Sequence, residues 1–183
     1  MQTTAELIIV AIILLDLALA VSGSLATCIR LAAAQGVIAA ILPLLADSGA
    51  PESRAIIFSS TVILLKGVFF PWLLTRARVK ANARKDVEPF IGYPASMILC
   101  LGAFAAASWL GTRLPLPETT RVAWIVPASL ATIFTGFLLI TTRAKAITQV
   151  LGYLVIENGI YVFGLALFVE QPLMVELAIL LDV

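Results

Sequence analysis

The chain contains no histidine and only two cysteines in 183 residues. Without imidazole, a histidine-ligated haem or zinc site cannot be built from its own side chains. Cys28 and Cys100 are too few to hold an iron–sulfur cluster; each falls in an apolar stretch, where a buried, inert thiol is the expected state. Charge is equally scarce. Charged residues make up 13% of the chain, against about 25% in a soluble domain. A net charge of +1 gives no electrostatic basis for binding nucleic acid. There is no glycine-rich phosphate loop and no Ser/His or Cys/His pairing, so nothing in the sequence supports catalysis on a soluble substrate.

What is present is hydrocarbon. The sequence is 61% hydrophobic with a mean hydropathy of +1.07, the composition of an integral membrane protein. Six segments reach the length needed to cross a bilayer, about 20 apolar residues, although the second is short. They run roughly over 6–29, 32–47, 55–75, 89–110, 122–142 and 146–169. "ADSGAPES", "RARVKANARKDVEP" and "GTRLPLPETTR" supply the breakers between them. The expected fold is an all-α, polytopic transmembrane helix bundle. It forms a single membrane domain over 1–183, with a three-helix front half (1–75), a basic loop (76–88) and a back half (89–183). "ALAV" at 18–21 resembles a signal-peptidase site, but residues 1–5 carry no Lys or Arg and Asp16 interrupts the apolar run, so the first segment reads as a retained span. A seventh run begins near Pro172 and is still apolar at Val183. As a helix its dozen residues reach about 18 Å, short of a crossing, so the expectation is a seventh span cut at the C-terminus.

Basic residues set the orientation. The connections after the first, third and fifth segments carry Arg30, then Arg76, Arg78, Lys80, Arg84 and Lys85, then Arg143 and Lys145; the alternate ones hold Arg54, Arg113 and Arg121. Eight against three places the first set in the cytoplasm and the N-terminus outside. Trp72, Trp109 and Trp124 fall near segment ends and read as interfacial anchors. Pro43, Pro71, Pro94 and Pro127 read as kinks or helix ends.

Against this background four ionisable residues stand out: Asp16, Lys66, Glu157 and Asp182 all fall about half a bilayer deep. A charge left facing lipid costs several kcal/mol, so each should face the protein interior or water. Around Glu157, the residues Gln149, Tyr153 and Tyr161 recur at four-residue spacing and form a polar stripe on one helix face, beside Asn158. Gly152, Gly159 and Gly164 allow backbones or waters to come close. The stripe is suited to holding water and passing protons. The plainer alternatives are a static ion pair of Lys66 with Asp16, Glu157 or Asp182, and a structural hydrogen bond for Asp16. Gln35 reads as a packing or capping amide that supports the row.

"TRAKAITQVLGYLVIENGIYVFGLALF", followed by "PLMVELAILLD", together with "LLKGVFFPWLL" in the third segment, resembles component E of hydrogenase-4 and formate hydrogenlyase-type complexes over nearly the whole chain. The last three segments also resemble, more distantly, the small K-type subunit of respiratory complex I and the C-type subunit of multisubunit cation antiporters. In the K-type subunit two successive helices each carry a buried glutamate after a basic loop; Glu157 and Asp182 take those places here. Glu157 lies about one turn further from its basic loop, and the second acid is Asp.

The resemblance implies a subunit without a catalytic centre in an energy-converting oxidoreductase of a prokaryotic cytoplasmic (inner) membrane. This chain would hold no cofactor; the [NiFe] centre and iron–sulfur clusters would lie on a soluble hydrogenase module, and large antiporter-like membrane subunits would be its neighbours. Glu157, Asp182, Lys66 and Asp16 would then belong to a proton or sodium path, Glu157 foremost. The rival readings are a stand-alone secondary transporter, a structural spacer, and an antiporter subunit of a related complex. No inverted repeat or matched pair of broken helices favours the first.

Overall fold

The computed structural model describes residues 2–46, 53–80, 90–114 and 124–167, and among these it is helical with no β-sheet. The helices are α1 (Gln2–Val21), α2 (Leu25–Ala46), α3 (Ser53–Leu64), α4 (Phe70–Lys80), α5 (Tyr93–Gly111), α6 (Ile125–Thr142) and α7 (Ala146–Leu167). A five-residue π-helical segment, Leu65–Phe69, joins α3 to α4 without a break. Six continuous helices are therefore long and apolar enough to cross a membrane. The seventh expected run lies outside the described residues.

Two boundaries differ from the sequence reading. The first turn falls at Ser22–Gly23–Ser24, where the Ser22 N–H donates to the Leu19 carbonyl at 3.3 Å, and not near residue 30. Small, turn-forming residues break the helix where hydropathy alone carries on. Arg30 therefore belongs to α2, its side chain exposed and donating to the Ala26 carbonyl. At the other boundary, Arg76, Arg78 and Lys80 form the end of α4 and not a loop.

The π-helical segment has a local cause. Pro71 lacks an N–H and its ring crowds the carbonyl four residues earlier, that of Gly67. The turn ahead of it widens, and the Phe70 N–H reaches back five residues to the Leu65 carbonyl. Gly67 keeps the widened turn close to α2: a Cβ there would stand 2.8 Å from Val37 Cγ2.

α6 and α7 form a tight antiparallel hairpin through glycine. A Cβ on Gly136 would lie 2.6 Å from the Gly152 carbonyl oxygen; one on Gly159 would lie 2.9 Å from that of Ser129. Backbones in contact gain dispersion energy along their length, the usual basis of helix association where water supplies no hydrophobic drive. Gly152 and Gly159 thus admit the neighbouring backbone.

The core is layered. One apolar cluster gathers Ile9 and Ile12 of α1, Ala39 and Leu42 of α2, Val126 of α6 and Val162 of α7. A second gathers Leu19, Leu25, Ile29, Leu74, Leu139 and Leu151. In α1, α2, α6 and α7 the residues between these two clusters are the polar ones: Asp16, Gln35, Thr132, Glu157 and Asn158. A polar stratum is thus flanked by hydrocarbon on both sides.

Gly152→Val should overpack the hairpin and cost about 1–3 kcal/mol or more, read as a lower melting temperature in detergent. Gly102→Ala, where nothing lies within 4 Å of the added carbon, should leave the melting temperature unchanged or raise it slightly.

Candidate functional site

The polar stratum starts at Lys66, in the second position of the π-helical segment and buried. Its Nζ lies 2.7 Å from Glu157 Oε1 and donates to Asn158 Oδ1 at 2.9 Å. It also sits over the Tyr161 ring, 5.7 Å from the centroid. The contact with Glu157 is a buried ion pair. α7 supplies all three partners from one turn. Gly36 of α2 makes the room: a Cβ there would be 3.0 Å from Lys66 Cδ and 3.1 Å from Asn158 Oδ1.

From Asn158 the row continues across the bundle. Its Nδ2 donates to the Ala32 carbonyl at 3.3 Å and to Gln35 Oε1 at 3.4 Å. Gln35, fully buried midway along α2, donates from Nε2 to Asp16 Oδ1 at 2.8 Å. Thr132 of α6 donates from Oγ1 to Asp16 Oδ2 at 2.7 Å. Glu157, Lys66, Asn158, Gln35, Asp16 and Thr132 therefore form one connected set of contacts over α7, the π-helical segment, α2, α1 and α6. The directions of its hydrogen bonds are fixed from the Lys66 end. An ammonium can only donate, so Asn158 must turn its oxygen to Lys66 and its amide nitrogen to Gln35, which repeats the arrangement toward Asp16.

A crevice of about 10 Å³, room for about one water molecule, reaches Lys66 and Asn158 between α2, α4 and α7; Ile29, Leu74, Leu151 and Leu154 wall it. It opens the row on the side where the hydrocarbon seal is formed by the second apolar cluster.

Several sequence expectations change here. The four-residue stripe on α7 is not one buried face: Glu157 and Tyr161 are buried, whereas Gln149 and Tyr153 are exposed. At 3.6 residues per turn each four-residue step drifts about 40°, so twelve residues swing the stripe a third of the way round. Gln35 is not a capping amide near a helix start but the bridge between Asn158 and Asp16. Asp182 lies outside the described residues. Thr132 carries no signal in the sequence, because a threonine in an apolar helix ordinarily bonds back to its own backbone, and the Ala128 carbonyl stands 3.0 Å from its Oγ1.

Arg143, expected in a solvated loop, is instead buried between α6 and α7. It donates from Nη2 to the Ala20 carbonyl at 2.7 Å, one of the four carbonyls left over at the end of α1. Its guanidinium stacks over Tyr93, 5.2 Å from the ring centroid. Burial pushes its pKa below the ordinary value, offset in part by Tyr93 and Cys28. Both cysteines are buried, free thiols.

No family model and no solved structure matches the chain. Over 156 residues it is 31% identical to uncharacterized protein Rv0085 of Mycobacterium tuberculosis, an alignment covering 85% of this chain and 71% of that protein. The chain belongs to the Rv0085 family. In this Rv0085-family protein the distinctive feature is a cation and two carboxyls joined inside a bundle otherwise built of hydrocarbon.

Breaking a buried pair leaves one charge without compensation, at a cost of about 3–5 kcal/mol. Lys66→Met in this Rv0085-family protein should accordingly destabilise it in mixed-micelle unfolding. Adding Glu157→Gln should recover part of the loss, because the acid left without its cation is then gone. An additive double mutant would mean that the two side chains are not coupled.

Proposed function

We propose that this chain is a membrane-arm subunit, without a catalytic centre of its own, of an energy-converting [NiFe]-hydrogenase or formate hydrogenlyase-like complex. In this reading it lies in a prokaryotic cytoplasmic membrane with its N-terminus outside, and its buried row carries protons (or sodium) coupled to redox chemistry on other subunits. The observation that carries the proposal is the continuity of the row: Lys66 joins Glu157 on one side and, through Asn158 and Gln35, Asp16 on the other. Membrane charges of this kind default to function, and the resemblance of "LLKGVFFPWLL" and "VIENG" to component E of hydrogenase-4 supplies the complex.

The chemistry needed from the row is modest. A proton carrier must reach both protonation states, which requires burial and pairing to oppose each other. Glu157 is buried and faces an ammonium. The crevice beside Lys66 offers room for a water on the side of the basic helix ends. Trp72, Trp109 and Trp124 are exposed, with Arg76 over Trp72 and Arg113 over Trp109, as suits side chains at a lipid headgroup boundary. α5 and the α3–α4 helix bury the least of their surface, leaving faces for lipid or for large antiporter-like subunits.

A second reading has its own support. The row links several helices and could serve only as a clasp. Substitution separates the two. If Glu157 carries protons, Glu157→Gln keeps the size and most of the hydrogen bonding but cannot titrate. The complex should assemble and its redox half-reaction with artificial acceptors should survive, while proton pumping in proteoliposomes falls by an order of magnitude or more. Glu157→Asp should retain part of the pumping. Full pumping by a well-assembled Glu157→Gln complex would sink the proton path and leave the clasp.

Orientation has a separate check. Single cysteines placed in the 81–89 connection of a cysteine-free variant should resist an impermeant thiol reagent in intact cells and react after lysis. Labelling from outside would reverse the assignment.

A further inference from the structure

The buried stratum contains, among the described residues, one cation and two carboxyls: Lys66, Glu157 and Asp16. Hydrocarbon layers flank it on both sides and the crevice beside Lys66 has room for about one water, so a net charge inside it is poorly solvated, and the neutral arrangements are favoured. With Lys66 charged, neutrality permits one carboxylate. Among the described groups, the other carboxyl then holds a proton. Lys66 touches Glu157 directly, whereas the hydrogen-bond partners of Asp16 are the neutral side chains of Gln35 and Thr132.

Hydrogen-bond directions say where that proton sits. The ammonium sets Asn158, Asn158 sets Gln35, and Gln35 presents an N–H to Asp16 Oδ1. Oδ1 is therefore an acceptor, and a proton on Asp16 must occupy Oδ2. There it meets Thr132 Oγ1 at 2.7 Å. Thr132 has one hydroxyl hydrogen and two acceptors within reach, Asp16 Oδ2 and the Ala128 carbonyl at 3.0 Å. It cannot serve both with one hydrogen. When Asp16 is neutral, Thr132 accepts from Oδ2 and donates to Ala128; when Asp16 is ionised, Thr132 turns and donates to Oδ2. The other groups facing Asp16 change nothing in this count: α5 contributes Cys100, a thiol 3.3 Å from Thr135 Oγ1, and α7 contributes Asn158, through Gln35.

We propose that Glu157 and Asp16 share one proton under the control of Lys66, with Thr132 as the hydroxyl that turns to follow it. The two neutral states are Glu157 ionised with Asp16 protonated, and Glu157 protonated with Asp16 ionised. Passing from the first to the second transfers, in net, one proton from Asp16 Oδ2 to Glu157. The ammonium keeps its three hydrogens and the total charge is unchanged. The carboxylate moves from one end of the amide row to the other, and the alignment of Asn158 and Gln35 couples the ends. This deepens the proton-path reading and rests on it for its role, though not for its geometry.

Infrared difference spectroscopy on the intact complex in vesicles, with and without isotope-labelled aspartate, reads the protonated carboxyl directly. Near neutral pH the native protein should show one buried protonated-carboxyl band that shifts with the label. The band should vanish in Asp16→Asn, and also in Glu157→Gln, because Asp16 must then ionise to balance Lys66. Lys66→Met should give two bands, one from each acid. Thr132→Val should displace the aspartate band, and Thr132→Ser should restore it. An aspartate band that persists in Glu157→Gln would overturn the sharing, as would a native band that ignores the label. Proton pumping measured on the same vesicles keeps the two readings apart. Pumping that survives both acid substitutions, with the bands behaving as described, removes the path and keeps the shared proton. Pumping lost in Glu157→Gln with the Asp16 band unchanged does the reverse.

Discussion

An ammonium group inside hydrocarbon organises this protein. Lys66 cannot be left bare, and every feature around it answers that demand. Glu157 supplies the opposite charge, Asn158 an oxygen and Tyr161 a ring face. Gly36 gives up its side chain so that the lysine stem can pass. Because the ammonium only donates, its influence extends beyond contact distance: two amides line up behind it and deliver an N–H to Asp16 on a helix that Lys66 does not touch.

The layering of the core follows from the same constraint. Polar groups in an apolar interior are tolerated when they satisfy each other, so Lys66, Glu157, Asn158, Gln35, Asp16 and Thr132 collect in one stratum between two mainly apolar layers. α6 and α7, locked through Gly136, Gly152 and Gly159, form the stiff wall on which Thr132, Glu157 and Asn158 are mounted. Arg143 adds a fixture at the end of the same hairpin by donating to the Ala20 carbonyl near the end of α1.

Much of this was legible in the sequence. Hydropathy gives six helices of the right order, and the rarity of charge draws attention to Lys66, Glu157 and Asp16. The less legible parts have physical reasons. Hydropathy averages over windows, so it passed through Ser22–Gly23–Ser24 and placed Arg30 outside a helix to which it belongs. A four-residue period is close enough to helical to suggest one face but drifts enough to expose Gln149 and Tyr153. Gln35 and Thr132 carry no distinguishing context of their own; what makes them part of the row is the depth at which α1, α2 and α6 cross. Arg143 looks like any loop arginine until the end of α1 is seen beside it.

The widened turn before Pro71 has an effect beyond its own five residues. On the long third helix Ser59, Val62 and Lys66 are buried along one line, and seven further residues of regular helix would bring Leu73 onto it. Leu73 is 43% exposed and Leu74 is 7% exposed. The extra residue accommodated in the turn acts as a phase shift of about 100°, so that α4 continues the inward face from a different letter of the sequence. In a relative whose third helix lacks this turn, the inward face can be kept only by deleting one residue between Leu65 and Pro71. Alignments of that helix should therefore carry a one-residue gap there, and a period scan run across it will read as two amphipathic segments out of step.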